Sequence, residues 1–109
     1  MLLDFASMDE TVLEKFNGGE KELRAGMYND GVNKILRGRL VPGASIGLHT
    51  HKTSSEIIYF LAGEGKAVCD GETERVAPGI CHYCPKGHSH TLINDGKEDL
   101  VFFAVVPEQ

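Results

Sequence analysis

An all-β sandwich or barrel is the fold this sequence predicts, on three observations. From Glu20 onward, short β-like runs are cut at regular intervals by turn signals: Asn29-Asp30-Gly31, Pro42-Gly43, Gly63-Glu64-Gly65, Asp70-Gly71, Pro78-Gly79 and Asn94-Asp95-Gly96. The closing run, Leu100 to Val106, is apolar on both faces and ends at Pro107, as a strand buried between layers does. The chain has 109 residues, one domain's worth, with no long repeat or low-complexity segment to divide it.

Taken in order, the first element differs from the rest. Ser7-Met8-Asp9-Glu10 fits a capping box, and Met8, Val12, Leu13 and Phe16 fall at helical spacing before Asn17-Gly18-Gly19. This predicts a short N-terminal helix within residues 1–19, followed by a β-barrel over residues 20–107. Met8 and Phe16 read as packing residues of that helix.

Composition narrows the partners. Net charge is −5, and no lysine or arginine cluster offers the basic footprint that nucleic acid or an anionic membrane requires. No apolar run approaches the ~20 residues of a membrane span, and the opening Met-Leu-Leu-Asp has no basic n-region. A cytoplasmic protein with no nucleic-acid or membrane partner is expected. Three cysteines, Cys69, Cys81 and Cys84, favour reduced thiols over a disulfide framework. Cys81 and Cys84 form a C-x-x-C, but it lies in a β-like run before a proline. A redox motif belongs at a helix start and a zinc site needs a second pair, so buried, inert thiols are expected.

Chemistry concentrates in two stretches. In Gly43 to Gly63, His49 and His51 stand two apart, and in an extended strand such residues share a face, roughly 7 Å apart. Four turn-like residues, Lys52 to Ser55, then lead into Glu56 and an Ile-Ile-Tyr-Phe-Leu run that reads as the returning strand of a hairpin, which brings Glu56 back beside the histidines. With His49 and His51 pointing inward, Ile46 and Leu48 should point out. On the next strand Glu56, Ile58 and Phe60 should face in, and Ile57, Tyr59 and Leu61 out. In Gly79 to Asn94, a strand from Ser89 puts His90, Leu92 and Asn94 on one face. His49, His51, Glu56 and His90 together make an N3O donor set for one metal ion. Imidazole suits zinc, iron, nickel and copper, and a glutamate oxygen makes manganese acceptable. Tyr59, His82, Tyr83 and His88 are nearby candidates for proton transfer, although a strand tyrosine ordinarily packs and a turn histidine is ordinarily solvated.

These stretches resemble both halves of the cupin signature. Gly43, five residues, His49-Thr50-His51, four residues, Glu56, six residues and Gly63 satisfy the first motif. Gly79, five residues, Pro85-Lys86-Gly87, two residues, His90, three residues and Asn94 satisfy the second. Fifteen residues, Glu64 to Pro78, separate them, as in small microbial single-domain cupins. The resemblance implies a double-stranded β-helix, or jelly-roll barrel, with His49, His51, Glu56 and His90 on one divalent metal, manganese before iron or zinc. Within the family the chain looks most like small bacterial cupins labelled oxalate decarboxylases. That activity would need a proton-donating carboxylate on a mobile lid, and none can be assigned. A metal-dependent enzyme acting on a small oxygenated acid or sugar derivative, as decarboxylase, isomerase or oxygenase, is therefore expected, with a non-catalytic small-molecule-binding or sensing module as the alternative. The apolar outer face predicted around Ile57 and Leu61, and similarity to small cupins, which commonly dimerise, imply a homodimer.

Overall fold

The computed structural model describes residues 1–109. Ten strands follow in chain order: β1 Thr11–Glu14, β2 Glu22–Asn29, β3 Asn33–Leu40, β4 Ser45–Thr50, β5 Glu56–Ala62, β6 Gly65–Cys69, β7 Glu72–Val76, β8 Cys81–Cys84, β9 Ser89–Ile93 and β10 Leu100–Pro107. They form a six-stranded sheet in the order β1-β2-β3-β10-β5-β8 and a four-stranded sheet in the order β4-β9-β6-β7. All the strand pairs are antiparallel. The jelly-roll expectation holds.

The two sheets face each other because alternate residues on each are apolar. Leu40, Ile58, Phe60, Leu100 and Phe102 from the larger sheet meet Ala67, Val76 and Leu92 from the smaller, all at most 2% exposed. On β5 the alternation is as the sequence predicts, with Glu56, Ile58 and Phe60 buried and Ile57, Tyr59 and Leu61 exposed. No helix is long and apolar enough to cross a membrane.

Three expectations need correction. The N-terminal helix is absent: Thr11–Glu14 is a strand paired with β2, from Thr11 opposite Ala25 to Glu14 opposite Glu22, and helical geometry is confined to a 3-10 turn at Phe16–Gly18. A segment this short gains little as an isolated helix, whereas pairing with β2 satisfies its backbone. Ser7 does not cap a helix; its hydroxyl donates to the Asp4 carboxylate at 2.7 Å. Arg39 ties the segment down through Glu10 at 2.8 Å and Asp99 at 2.7 Å. Second, Ile46 does not point outward. The β4–β9 register slips between Ile46 and His49, so Ile46 joins the core at 7% exposure while Leu48 stands 70% exposed. Third, the cysteines are not uniformly buried: Cys84 is buried, Cys69 half-buried and Cys81 exposed. Residues three apart on β8 face opposite ways, so Cys81 and Cys84 point to opposite sides of the strand.

Candidate metal centre

The slip in β4 and the docking of two turns set the stage for the histidines. Gly47 lies in the slipped stretch, and a Cβ there would sit 2.0 Å from the Asn17 carbonyl oxygen, so the Phe16–Gly18 turn can close on β4 only over glycine. His51 follows β4 directly. Its backbone N–H donates to His88 O at 3.0 Å, and Gly87 N–H donates back to His51 O at 2.6 Å. The Pro85-Lys86-Gly87 turn of the second motif is thereby clamped to the first. At the other end, the buried Asn94 side chain donates to Leu40 O at 2.9 Å and Glu98 O at 2.8 Å and accepts from Gly96 N–H at 2.9 Å. Gly43 N–H donates to Asn94 O at 3.0 Å, so these two motif residues brace the barrel rather than line the site.

His49 from β4, His51 beyond it, Glu56 from the start of β5 and His90 from β9 converge, with ligand atoms within 4.8 Å of one another. The three Nε2 atoms lie 3.0 to 3.2 Å apart pairwise. Glu56 Oε1 is 2.9 Å from His90 Nε2, 3.1 Å from His51 Nε2 and 3.8 Å from His49 Nε2. The rings are arranged as a propeller, with centroids 4.6 to 4.9 Å apart and interplanar angles of 63 to 69°.

Each imidazole has its other nitrogen engaged. His49 Nδ1–H donates to Gly47 O at 2.7 Å, which leaves a lone pair on Nε2, since a carbonyl only accepts. His51 Nδ1 pairs with Ser54 Oγ at 3.1 Å, and His90 Nδ1 pairs with His82 Nε2 at 3.0 Å. Nε2 lone pairs facing one another at this distance repel unless a cation lies among them. Donors about 2.1 Å from a common ion and at right angles are themselves about 3 Å apart. The donor set therefore fits a divalent metal.

Electrostatics agree. Burial alone would raise the Glu56 pKa, but the close approach of the His49, His51 and His90 imidazoles prevails and holds it well below the usual carboxylate range. Burial would lower His49, yet Glu56 and the Gly47 carbonyl outweigh it and the net shift is upward. At His90 burial wins over Glu56, and its pKa falls.

A cavity of about 100 Å³ opens over the cluster, walled by residues that include Phe16, Leu23, Met27, Leu36, Ile46 and Phe102, with Asn17 and Lys34. Lys34 is the one lysine or arginine on this wall. Neither Asn17 nor Lys34 carries a spacing signal in the sequence, because the Phe16–Gly18 turn and β3 approach the histidines only in the folded barrel. Of the proton-transfer candidates, Tyr59 and Tyr83 are 45% and 54% exposed on the outer face. His88 is exposed and paired with the Asp70 carboxylate. His82 alone is buried, at 3% exposure, and touches His90 rather than the cavity.

Comparison with known proteins agrees with this architecture. The family model described as "Cupin domain" matches residues 36–106, more than half of the chain. The chain belongs to the cupin family. This cupin is 40% identical over 72 residues to an oxalate-binding protein of Thermotoga maritima, an alignment covering 66% of this chain and 60% of the relative. It is 38% identical over 71 residues to an uncharacterized protein of Methanocaldococcus jannaschii, covering 64% of this chain and 57% of that one. The match thus spans about 60% of the length of the curated relatives. Among solved structures, a predicted oxalate decarboxylase from Thermotoga maritima superposes with a TM-score of 0.94 at 28% identity over the whole of both chains. The cupin domain of Schizosaccharomyces pombe Cnp3 superposes at 0.81 and 14% identity, covering 100% of this chain and 74% of that one, a likeness of fold alone.

Proposed function

We propose that this cupin holds one divalent metal ion through His49, His51, Glu56 and His90 and uses it to bind a small oxygenated acid, with oxalate the first candidate. The observation that carries the reading is the convergence of three imidazole nitrogens and one carboxylate oxygen within 4.8 Å, with His49, His51 and Glu56 on the cavity wall. The ion would supply positive charge and open coordination positions to a carboxylate. Manganese is proposed first, then iron or zinc, with nickel or copper also compatible with imidazole donors.

The chain's own residues support an acid. Glu56 is the one carboxylate on the cavity wall and is engaged with the histidines, so Lys34 leaves the pocket's remaining charge positive. The cavity, about 100 Å³, has room for a small acid. The oxalate-binding name of the Thermotoga relative points the same way. With Tyr59, Tyr83 and His88 outside the cavity, the arrangement favours binding over a decarboxylase, isomerase or oxygenase, the alternative kept for test.

The experiment is calorimetric titration of oxalate into protein whose metal content has been measured, before and after metal stripping. Oxalate should bind only the loaded form, and Lys34→Met should weaken oxalate binding without lowering metal content. Oxalate binding that ignores metal would overturn the role given to the ion, and no oxalate binding to the loaded form would overturn the acid reading. Release of formate and carbon dioxide would make the protein a decarboxylase.

We also propose a two-fold homodimer through the outer face of β5 and β8, where Ile57, Tyr59, Leu61 and Tyr83 are 41 to 54% exposed. The N-terminal segment covers the neighbouring part of this sheet, with Phe5 edge-on to Phe103 at 5.8 Å, and leaves that patch open. Light scattering should give twice the chain mass, reduced to one by Ile57→Lys. A monomeric wild type would remove the interface.

A further inference from the structure

The structure holds a hydrogen-bonded chain that begins on the protein surface and ends on a ligand atom of the candidate metal centre. Glu74 lies on β7, at the edge of the smaller sheet, with its side chain 58% exposed. Its Oε1 is 2.9 Å from Nδ1 of His82, whose side chain is 2% exposed. His82 projects inward from β8, at the edge of the larger sheet, and its Nε2 is 3.0 Å from Nδ1 of His90. The His82 and His90 rings stack with centroids 5.3 Å apart at an interplanar angle of 18°.

With both imidazoles neutral, the order of these atoms sets where the protons are. An ionised carboxylate only accepts, so His82 Nδ1 carries a hydrogen and His82 Nε2 a lone pair. That lone pair needs a donor, so His90 Nδ1 carries a hydrogen and His90 Nε2 presents its lone pair to His49, His51 and Glu56. His49 and His51 obtain similar support from partners within their own segment, Gly47 O and Ser54 Oγ. His90 has none nearby in sequence and is supported across both sheets. A buried imidazole at position 82 is otherwise hard to explain, since an apolar side chain would fill the same space without needing two partners.

We infer that Glu74 is a positioning residue for the metal centre, acting through His82 to fix the tautomer and orientation of His90 and so to set metal affinity. This rests on the metal-site reading above. Partners that a ligand histidine hydrogen-bonds through its second nitrogen typically govern affinity on the order of 10- to 100-fold.

The test measures dissociation constants for Mn²⁺ and Zn²⁺ by competition with a chromophoric chelator, together with the visible absorption of the Co²⁺ form. Glu74→Leu should weaken binding about tenfold or more and alter the Co²⁺ spectrum. Glu74→Gln, which keeps an accepting oxygen but loses the charge, should lose less. Glu72→Gln removes the same charge from the same strand and should leave affinity within twofold of wild type. Adding Glu74→Leu to His82→Phe should cause no further loss, because Glu74 has no route to the ion except through His82. Wild-type affinity in Glu74→Leu, an equal loss in Glu72→Gln, or additive losses in the double variant would each overturn the inference. A wild-type protein that takes up no divalent metal would instead overturn the metal-site reading on which it rests.

Discussion

The same strands build two opposite environments at the two ends of the barrel. Along β5 the inward residues run from Glu56 to Ile58 to Phe60, and along β9 they begin with His90 and Leu92. One end is a buried set of titratable groups that need a partner; the other is a closed apolar core with Phe60 at 0% exposure. Stability and affinity are therefore separable along a single strand. The packed end works by excluding water from apolar surface, whereas the polar end holds lone pairs close together that apolar neighbours would not require.

The largest expected effect belongs to the packed end. Phe60→Ala removes a fully buried ring and should cost about 3 to 5 kcal/mol in urea unfolding. The folded fraction should still bind metal, because Phe60 lies outside the cavity wall. Loss of metal affinity as large as the loss of stability would mean that the two ends are one cooperative unit.

At the polar end, removing a ligand should do the reverse. A divalent ion at 100 times its dissociation constant stabilises the native state by about 2.7 kcal/mol through mass action alone. His49→Ala, His51→Ala, Glu56→Ala and His90→Ala should each lose that metal-dependent increment and the bound metal itself, as read by thermal melts and elemental analysis of dialysed protein. A retained increment in all four would remove the proposed centre.

Part of this contrast was legible before the fold was known. Strict alternation on β5 and β9 marked Glu56, His90, Leu92 and Asn94 as inward, because nothing interrupts the two-residue period there. On β4 the same rule misplaced Ile46, since the slip before His49 leaves no residue signature beyond Gly47, whose packing against Asn17 is a tertiary fact. The N-terminal segment carried helical spacing at Met8, Val12 and Phe16, but the unpaired edge of β2 prevailed over local pattern. Lys34 and Glu74 reach the site from strands far away in sequence, and no spacing rule points to either.

The polar end should also respond to pH in two senses. Metal must displace a proton from His49, whose pKa lies above the ordinary 6.5, so as pH is lowered affinity should already be falling at pH 6.5 and should approach a loss of about tenfold per pH unit below the His49 value. The apo protein follows Glu56. Its pKa is depressed below the ordinary 4.5 in the folded state, so it contributes stability that is present above that value and lost as pH falls through the folded one. Urea midpoints between pH 6 and 3 measure this, and Glu56→Gln should flatten the portion due to Glu56.

The smallest effect sharpens the comparison most, because it concerns a second pair of the same chemistry. His88 and Asp70 form an imidazole–carboxylate pair like His82 and Glu74, and both pairs join the β8–β9 region to the neighbourhood of β6 and β7. His88 and Asp70 have side chains 48% and 50% exposed, so water competes for every charge they present. The Asp70 pKa is lowered chiefly by its hydrogen bond to His88, with no burial to strengthen it. His88→Ala should therefore leave the urea midpoint close to that of wild type. Metal affinity should stay within twofold of wild type, since the contacts that clamp this turn to His51 are made by the backbone of His88 and Gly87, which alanine preserves. An affinity loss matching that of Glu74→Leu would show that the surface pair acts on the centre by charge alone, and burial would no longer distinguish the two histidines.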